Sequence, residues 1–175
     1  MSRRIMALLA VALLATTMFA PGAAAQDPVF VFVFADGATV EVDEGDEIIL
    51  VYGWAAKTKG QVRMAQSAIE DSFLVEDAAG TEIVNLSVEE ADEYWNPLET
   101  IATVDLGINC KKAEFWVSVW TYSLGTLPAG TYTLYSSTTF DHPVNDGYHN
   151  CEEVDAPSLY PASEYGTAVV TIVVG

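Results

Sequence analysis

Positive charge is what this chain has least of. Lys and Arg number 7 against 25 Asp and Glu, and two of the seven, Arg3 and Arg4, stand at the extreme start. A chain so poor in cations lacks the footprint of a protein that grips phosphate backbones or anionic lipid, so nucleic acid and membrane surfaces are not expected partners. Cysteine is nearly as scarce, with only Cys110 and Cys151, too few for a disulfide-dense scaffold. The two histidines are His142 and His149. No G-x-S-x-G elbow, H-E-x-x-H helix or P-loop occurs, so the sequence carries no catalytic signature and an enzyme is not expected. No cofactor is implied.

Long apolar runs are also missing. Ile5 to Ala15 is the one candidate, and it is short. Preceded by Arg3-Arg4 and followed by Ala23-Ala24-Ala25, it reads as a secretory signal peptide over residues 1–25, cleaved before Gln26. The expected mature chain, residues 26–175, is large enough to bury a core of its own as one domain. It would be secreted or periplasmic. Losing Arg3 and Arg4 leaves five cations against 25 acids, a net charge of about −20. That charge suits a soluble exported protein. The turns around Asp43–Glu47 and Asp141–Asp146 are rich in carboxylates, but neither matches D-x-[DN]-x-[DN]-G, and no metal site is expected.

What is present is a succession of short strand signals divided by Gly, Asp and Pro turns. Val29–Phe34, Thr39–Asp43, Glu47–Trp54, Ser72–Glu76, Glu82–Leu86, Thr100–Asp105, Ala113–Tyr122, Thr131–Phe140 and Thr167–Val174 all read as strands. Gln61–Ile69 fits a strand or a helical face, and the surrounding strands favour strand. Ser87-Val88-Glu89-Glu90 is a capping box for one helical turn. The segment from Pro143 to Gly166 reads as a long loop. The sum is an all-β, antiparallel sandwich of about eight to ten strands.

Ala113–Tyr122 alternates cleanly. Ala113, Phe115, Val117 and Val119 are expected to face the core, leaving Trp116, Trp120 and Tyr122 as an aromatic stripe on the outer face. Such a stripe is a candidate platform for a glycan or a protein partner, unless the Pro143–Gly166 loop covers it. Val29–Phe34 is apolar on both faces. It reads as the chain's own first core strand, with donation to a neighbour's sheet as the self-assembly alternative.

Leu127-Pro128-Ala129-Gly130-Thr131-Tyr132 resembles the tyrosine corner of immunoglobulin-like and fibronectin-III-like sandwiches. The resemblance implies a buried Tyr132 whose hydroxyl bonds back to the turn. The antibody pattern itself is not met, since Tyr148 stands three residues before Cys151 and Trp116 and Trp120 follow Cys110 closely. The chain as a whole resembles uncharacterised secreted β-sandwich proteins of bacteria, which implies an architecture and no particular activity. The expected function is a non-catalytic extracellular binding or adhesion module for an unknown protein or glycan. A carbohydrate-binding module and a surface-fibre subunit are the alternatives.

In an oxidising compartment an even cysteine pair is expected to be joined, with a metal site or a reactive thiol as the other readings. Joined, Cys110 and Cys151 close a loop of about 41 positions, worth up to roughly 4 kcal/mol in the chain-entropy model. Thiol titration of the unreduced exported protein should find no free thiol. Two titrating thiols would contradict the pairing.

Overall fold

The computed structural model describes residues 27–96, 100–104, 113–147 and 159–175. The signal segment, Cys110, Cys151 and His149 lie outside them. Within them the chain is a two-sheet β-sandwich. Its strands are β1 (Val29–Phe32), β2 (Thr39–Val42), β3 (Ile48–Ala56), β4 (Ile69–Asp77), β5 (Glu82–Leu86), β6 (Thr100–Val104), β7 (Ala113–Gly125), β8 (Gly130–Phe140), β9 (Val144–Asn145), β10 (Leu159–Tyr160) and β11 (Glu164–Val174). One sheet runs β1-β3-β7-β6 and the other β2-β11-β8-β4-β5, while β9 and β10 pair separately.

The sandwich is not purely antiparallel. β1 pairs with β3 in parallel, Val29 opposite Ile48, and β2 pairs with β11 in parallel, Thr39 opposite Thr171. The chain lays β1 on the edge of one sheet, turns at Phe34–Ala38, and crosses to the edge of the other. The Asp43–Asp46 turn then brings it back to start β3. β1 therefore takes a place in its own chain's sheet, with Val31 and Val33 buried and Phe30 turned to solvent.

Gln61–Ile69 is the main correction to the strand reading. Lys59–Ala68 is a helix, α1. Thr58 caps it by accepting from Gln61 N, and the Thr58 hydroxyl donates to Gln61 Oε1 at 3.0 Å. Val62, Ala65 and Ala68 form its buried stripe against Trp54, Phe140 and Val144. Once the cap starts the helix, its i, i+3 spacing outweighs the strand context. The second helix, α2 (Val88–Ala91), does follow the Ser87 capping box, with Ser87 N donating to Glu90 Oε2 at 3.0 Å. A 3-10 turn, Asp92–Tyr94, continues it.

The larger core cluster lies between the sheets. Ile48, Leu50 and Tyr52 of β3 meet Phe73 and Val75 of β4, Leu134 of β8 and Val170 and Ile172 of β11. Tyr132 opens β8 at 6 % exposure, and its hydroxyl donates to Pro128 O at 2.8 Å. The turn before β8 is thereby tied to the strand. Tyr132→Phe should lose about 1 kcal/mol, because the Pro128 carbonyl loses its protein donor. Chemical denaturation of the two proteins measures it, and an unchanged midpoint would show the bond to be idle.

Candidate functional site

The aromatic stripe comes first, because register decides which way it faces. β3 buries Ile48, Leu50, Tyr52, Trp54 and Ala56 on its inner face. Against β7, Leu50 pairs with Tyr122, Tyr52 with Trp120, Trp54 with Ser118 and Ala56 with Trp116. Directly paired residues share a face. Trp116, Trp120 and Tyr122 therefore point at the opposite sheet, and the outer-face assignment of the stripe is corrected.

Each member has an interior role. Trp120 is 0 % exposed, packs in tilted geometry at 4.4 Å from Phe73 and 5.6 Å from Tyr52, and donates from Nε1 to Ala91 O at 2.7 Å. Trp116 is half-buried beside the α1 cluster, with Lys59 Nζ 4.7 Å from its ring centroid. Tyr122 is half-buried and meets Tyr94 edge-to-face at 4.8 Å. Burial, with Tyr94 and Glu90 nearby, raises its hydroxyl above the ordinary phenol value. Phe115 and Val117 are buried too, on the other face, so β7 is apolar on both sides.

Beside Tyr52 the core holds a carboxyl. Asp71 sits on the inner face of β4 at 3 % exposure, between Ile69 and Phe73. Tyr52 reaches across from the other sheet, and its hydroxyl donates to Asp71 Oδ2. Burial pushes the Asp71 carboxyl from 3.8 up to about 7; the Thr138 side chain works against this and the charge of Asp92 adds to it. Ser136, Thr138 and Ser118 are buried nearby, with Ser118 Oγ accepting from Gln66 Nε2 at 2.8 Å. Asp71 was not legible as special in the sequence. Its one signal is a charge at an inward position of the β4 alternation.

The solvent face of the five-stranded sheet is different in kind. Across β5, β4, β8 and β11, one row runs Asn85, Leu74, Tyr135, Val169, and the next runs Ser72, Ser137, Thr167. Tyr135 is 41 % and Val169 42 % exposed, and these residues line a shallow open groove. No charged side chain stands in either row, although the chain as a whole carries −18. The aromatic exposed on the solvent face of this sheet is thus Tyr135, which lies outside the Trp116, Trp120 and Tyr122 stripe.

Other sequence-level candidates stay apart. Asp141 contacts His142 at the surface, both about half exposed. Among the described residues no three His, Cys, Asp or Glu side chains gather as a metal site, and no helix is long and apolar enough to cross a membrane.

The two placements of Trp120 differ in stability. Trp120→Ala should destabilise the fold by about 3–5 kcal/mol, the range for emptying a large aromatic site in a core. A variant as stable as the parent in thermal unfolding would return Trp120 to the surface.

No family model matches the chain. No curated protein matches it either. Among solved structures, a crystal structure of a cysteine protease inhibitor from Entamoeba histolytica is similar over 83 % of this chain and 93 % of its own, at 11 % identity and a TM-score of 0.27. A likeness of that size carries no functional argument.

Proposed function

We propose that this protein is a secreted, non-catalytic binding module, and that its ligand surface is the solvent face of the five-stranded sheet. The observation that carries the reading is the pair of uncharged rows around Tyr135. Exposed Tyr135 beside Val169 and Leu74 offers an apolar ledge, and Ser72, Ser137, Thr167 and Asn85 surround it with hydroxyls and an amide. A neutral polysaccharide presents the matching chemistry, with C–H faces for the phenol ring and hydroxyls for the Ser and Thr rows. The acidity elsewhere on the molecule disfavours polyanionic ligands.

The non-catalytic part of the reading rests on where the perturbed carboxyl lies. Asp71 is buried between the sheets and bonded by Tyr52, on the opposite face of the sheet from Tyr135. Export rests on the order of residues 1–25.

Depletion from solution onto insoluble neutral polysaccharides, followed by a glycan array, tests the proposal. Tyr135→Ala should retain the parent's unfolding free energy within about 0.5 kcal/mol, as an exposed position does, and lose roughly tenfold or more in affinity through the missing ring. Binding to no glycan contradicts the ligand class. Glycan binding that survives Tyr135→Ala unchanged contradicts the surface.

A further inference from the structure

The sequence holds five asparagines, and one of them stands in an N-x-[ST] triplet, Asn85-Leu86-Ser87. That triplet is the acceptor pattern for N-linked sugar in an exported chain. The other four, Asn96, Asn109, Asn145 and Asn150, have no Ser or Thr two positions on. A triplet alone arises often by chance, so its place in the fold decides what it is worth.

Asn85 lies on β5, an edge strand of the five-stranded sheet that pairs within it only with β4. Its side chain is exposed, while Leu86 beside it is buried and pairs with the inward Phe73. Asn85 Nδ2 donates to Glu82 Oε2 at 3.2 Å. The amide has a second hydrogen to give up, so this bond survives replacement of one of them. Ser87 is engaged in the folded chain, because it caps α2 and its hydroxyl donates to Glu90 Oε2 at 2.6 Å. An enzyme that reads the Ser87 hydroxyl therefore meets it before α2 forms, on the chain as it is exported. The folded protein has then to accommodate only what Asn85 carries.

Asn85 also opens the uncharged row on the solvent face. Leu74, Tyr135 and Val169 follow it across β4, β8 and β11, and all four line the same shallow groove. Adjacent strands lie about 4.8 Å apart, which puts Tyr135, two strands over, about 10 Å from Asn85. That is within the span of a short oligosaccharide. On one side of the row stand Glu76 and Glu82, and on the other, beyond Ser72, stands Glu70. Carboxylates on both flanks favour neutral sugars over acidic ones in the groove.

We propose that Asn85 carries an N-linked glycan whose inner, neutral sugars lie along this groove and cover Tyr135. In the attachment the Asn85 amide nitrogen bonds to the anomeric carbon of an oligosaccharide carried on a lipid pyrophosphate. The bond from that carbon to the phosphate oxygen breaks, the lipid pyrophosphate leaves with its electron pair, and the amide proton passes to a base of the transferring enzyme. The attachment stands on the acceptor triplet and the exposure of Asn85, whereas the seating over Tyr135 rests on the sugar-binding character proposed for that face. A tethered glycan meets the face at an effective concentration of millimolar order, enough to fill a surface whose contacts with sugar are individually weak. The glycan is thus a built-in competitor. Modified protein meets external polysaccharide with its ledge filled, and unmodified protein meets it with the ledge open.

Intact mass and peptide fragmentation of the exported protein, recovered from the cells that make it, should find sugar on Asn85. The sugar should be absent from Asn85→Gln and Ser87→Ala and kept in Ser87→Thr, which retains the hydroxyl. Asn85→Gln changes an exposed position and should fold as the parent does. Hydroxyl-radical footprinting should then label Tyr135 several-fold more slowly in the parent than in Asn85→Gln, with the exposed Tyr94 labelled alike in both. Asn85→Gln should also bind insoluble neutral polysaccharide several-fold more tightly than the parent. An exported parent with a bare Asn85 overturns the proposal and leaves the Tyr135 surface to its own depletion test. A modified Asn85 with Tyr135 labelled equally in both proteins overturns the seating. Sugar on Asn85 that shields Tyr135, with neither protein binding any polysaccharide, supports the present proposal and contradicts the external ligand.

Discussion

A hydrogen bond crosses the middle of this sandwich, from the Tyr52 hydroxyl of one sheet to the Asp71 carboxyl of the other. A carboxyl between two apolar sheet faces is strongly disfavoured unless it is neutral and bonded. Tyr52 is the donor that makes Asp71 tolerable, and Asp71 in turn fixes where Tyr52 stands. The rings of Phe34, Phe73, Trp95 and Trp120 then pack within 5.1 to 6.2 Å of the Tyr52 ring centroid, apart from the bond's far end. The relative position of β3 and β4, which pair with different neighbours and share no ladder, is set by this contact and the packing around it.

The consequences run outward. With Tyr52 aimed inward, the β3–β7 register sends Trp116, Trp120 and Tyr122 inward as well. The gap between the sheets is filled by aromatics and closed at one end by α1 and along one side by the strap Ser87–Asn96. The exterior of the five-stranded sheet carries the two uncharged rows with exposed Tyr135 and Val169, flanked on β4 by Glu70 and Glu76. The inward aromatic stripe follows from the β3–β7 register, and the outward hydroxyl rows follow from the registers of β4, β8 and β11.

Much of this is legible in the amino-acid sequence. The turn signals delimited most strands to within a few residues, the Ser87 capping box marked α2, and the Leu127–Tyr132 motif led to a phenol that does bond to the turn. Four features are not readable there, for physical reasons. β7 alternates, but both of its faces carry apolar residues, so alternation separates the faces without saying which is inside; only the pairing with β3 does. α1 was hidden because Val62, Ala65 and Ile69 suit either period, and the deciding Thr58–Gln61 cap lies just outside the apolar pattern. The parallel edge pairings of β1 and β2 follow from a crossover between sheets, a long-range choice that no local signal encodes. Asp71 escaped notice because one acid among 25 is conspicuous only once its surroundings are known.

The central claim, that the Tyr52–Asp71 bond joins the two sheets, is most directly tested by a double-mutant cycle. Unfolding free energies of the parent, Tyr52→Phe, Asp71→Asn and the double variant are compared at pH 5, where Asp71 is neutral. Two groups in direct buried contact should show a coupling of about 0.5–3 kcal/mol. Single effects that simply add, with no coupling beyond error, would mean that the two side chains do not meet in the folded protein and that the sheets are held together by apolar packing alone.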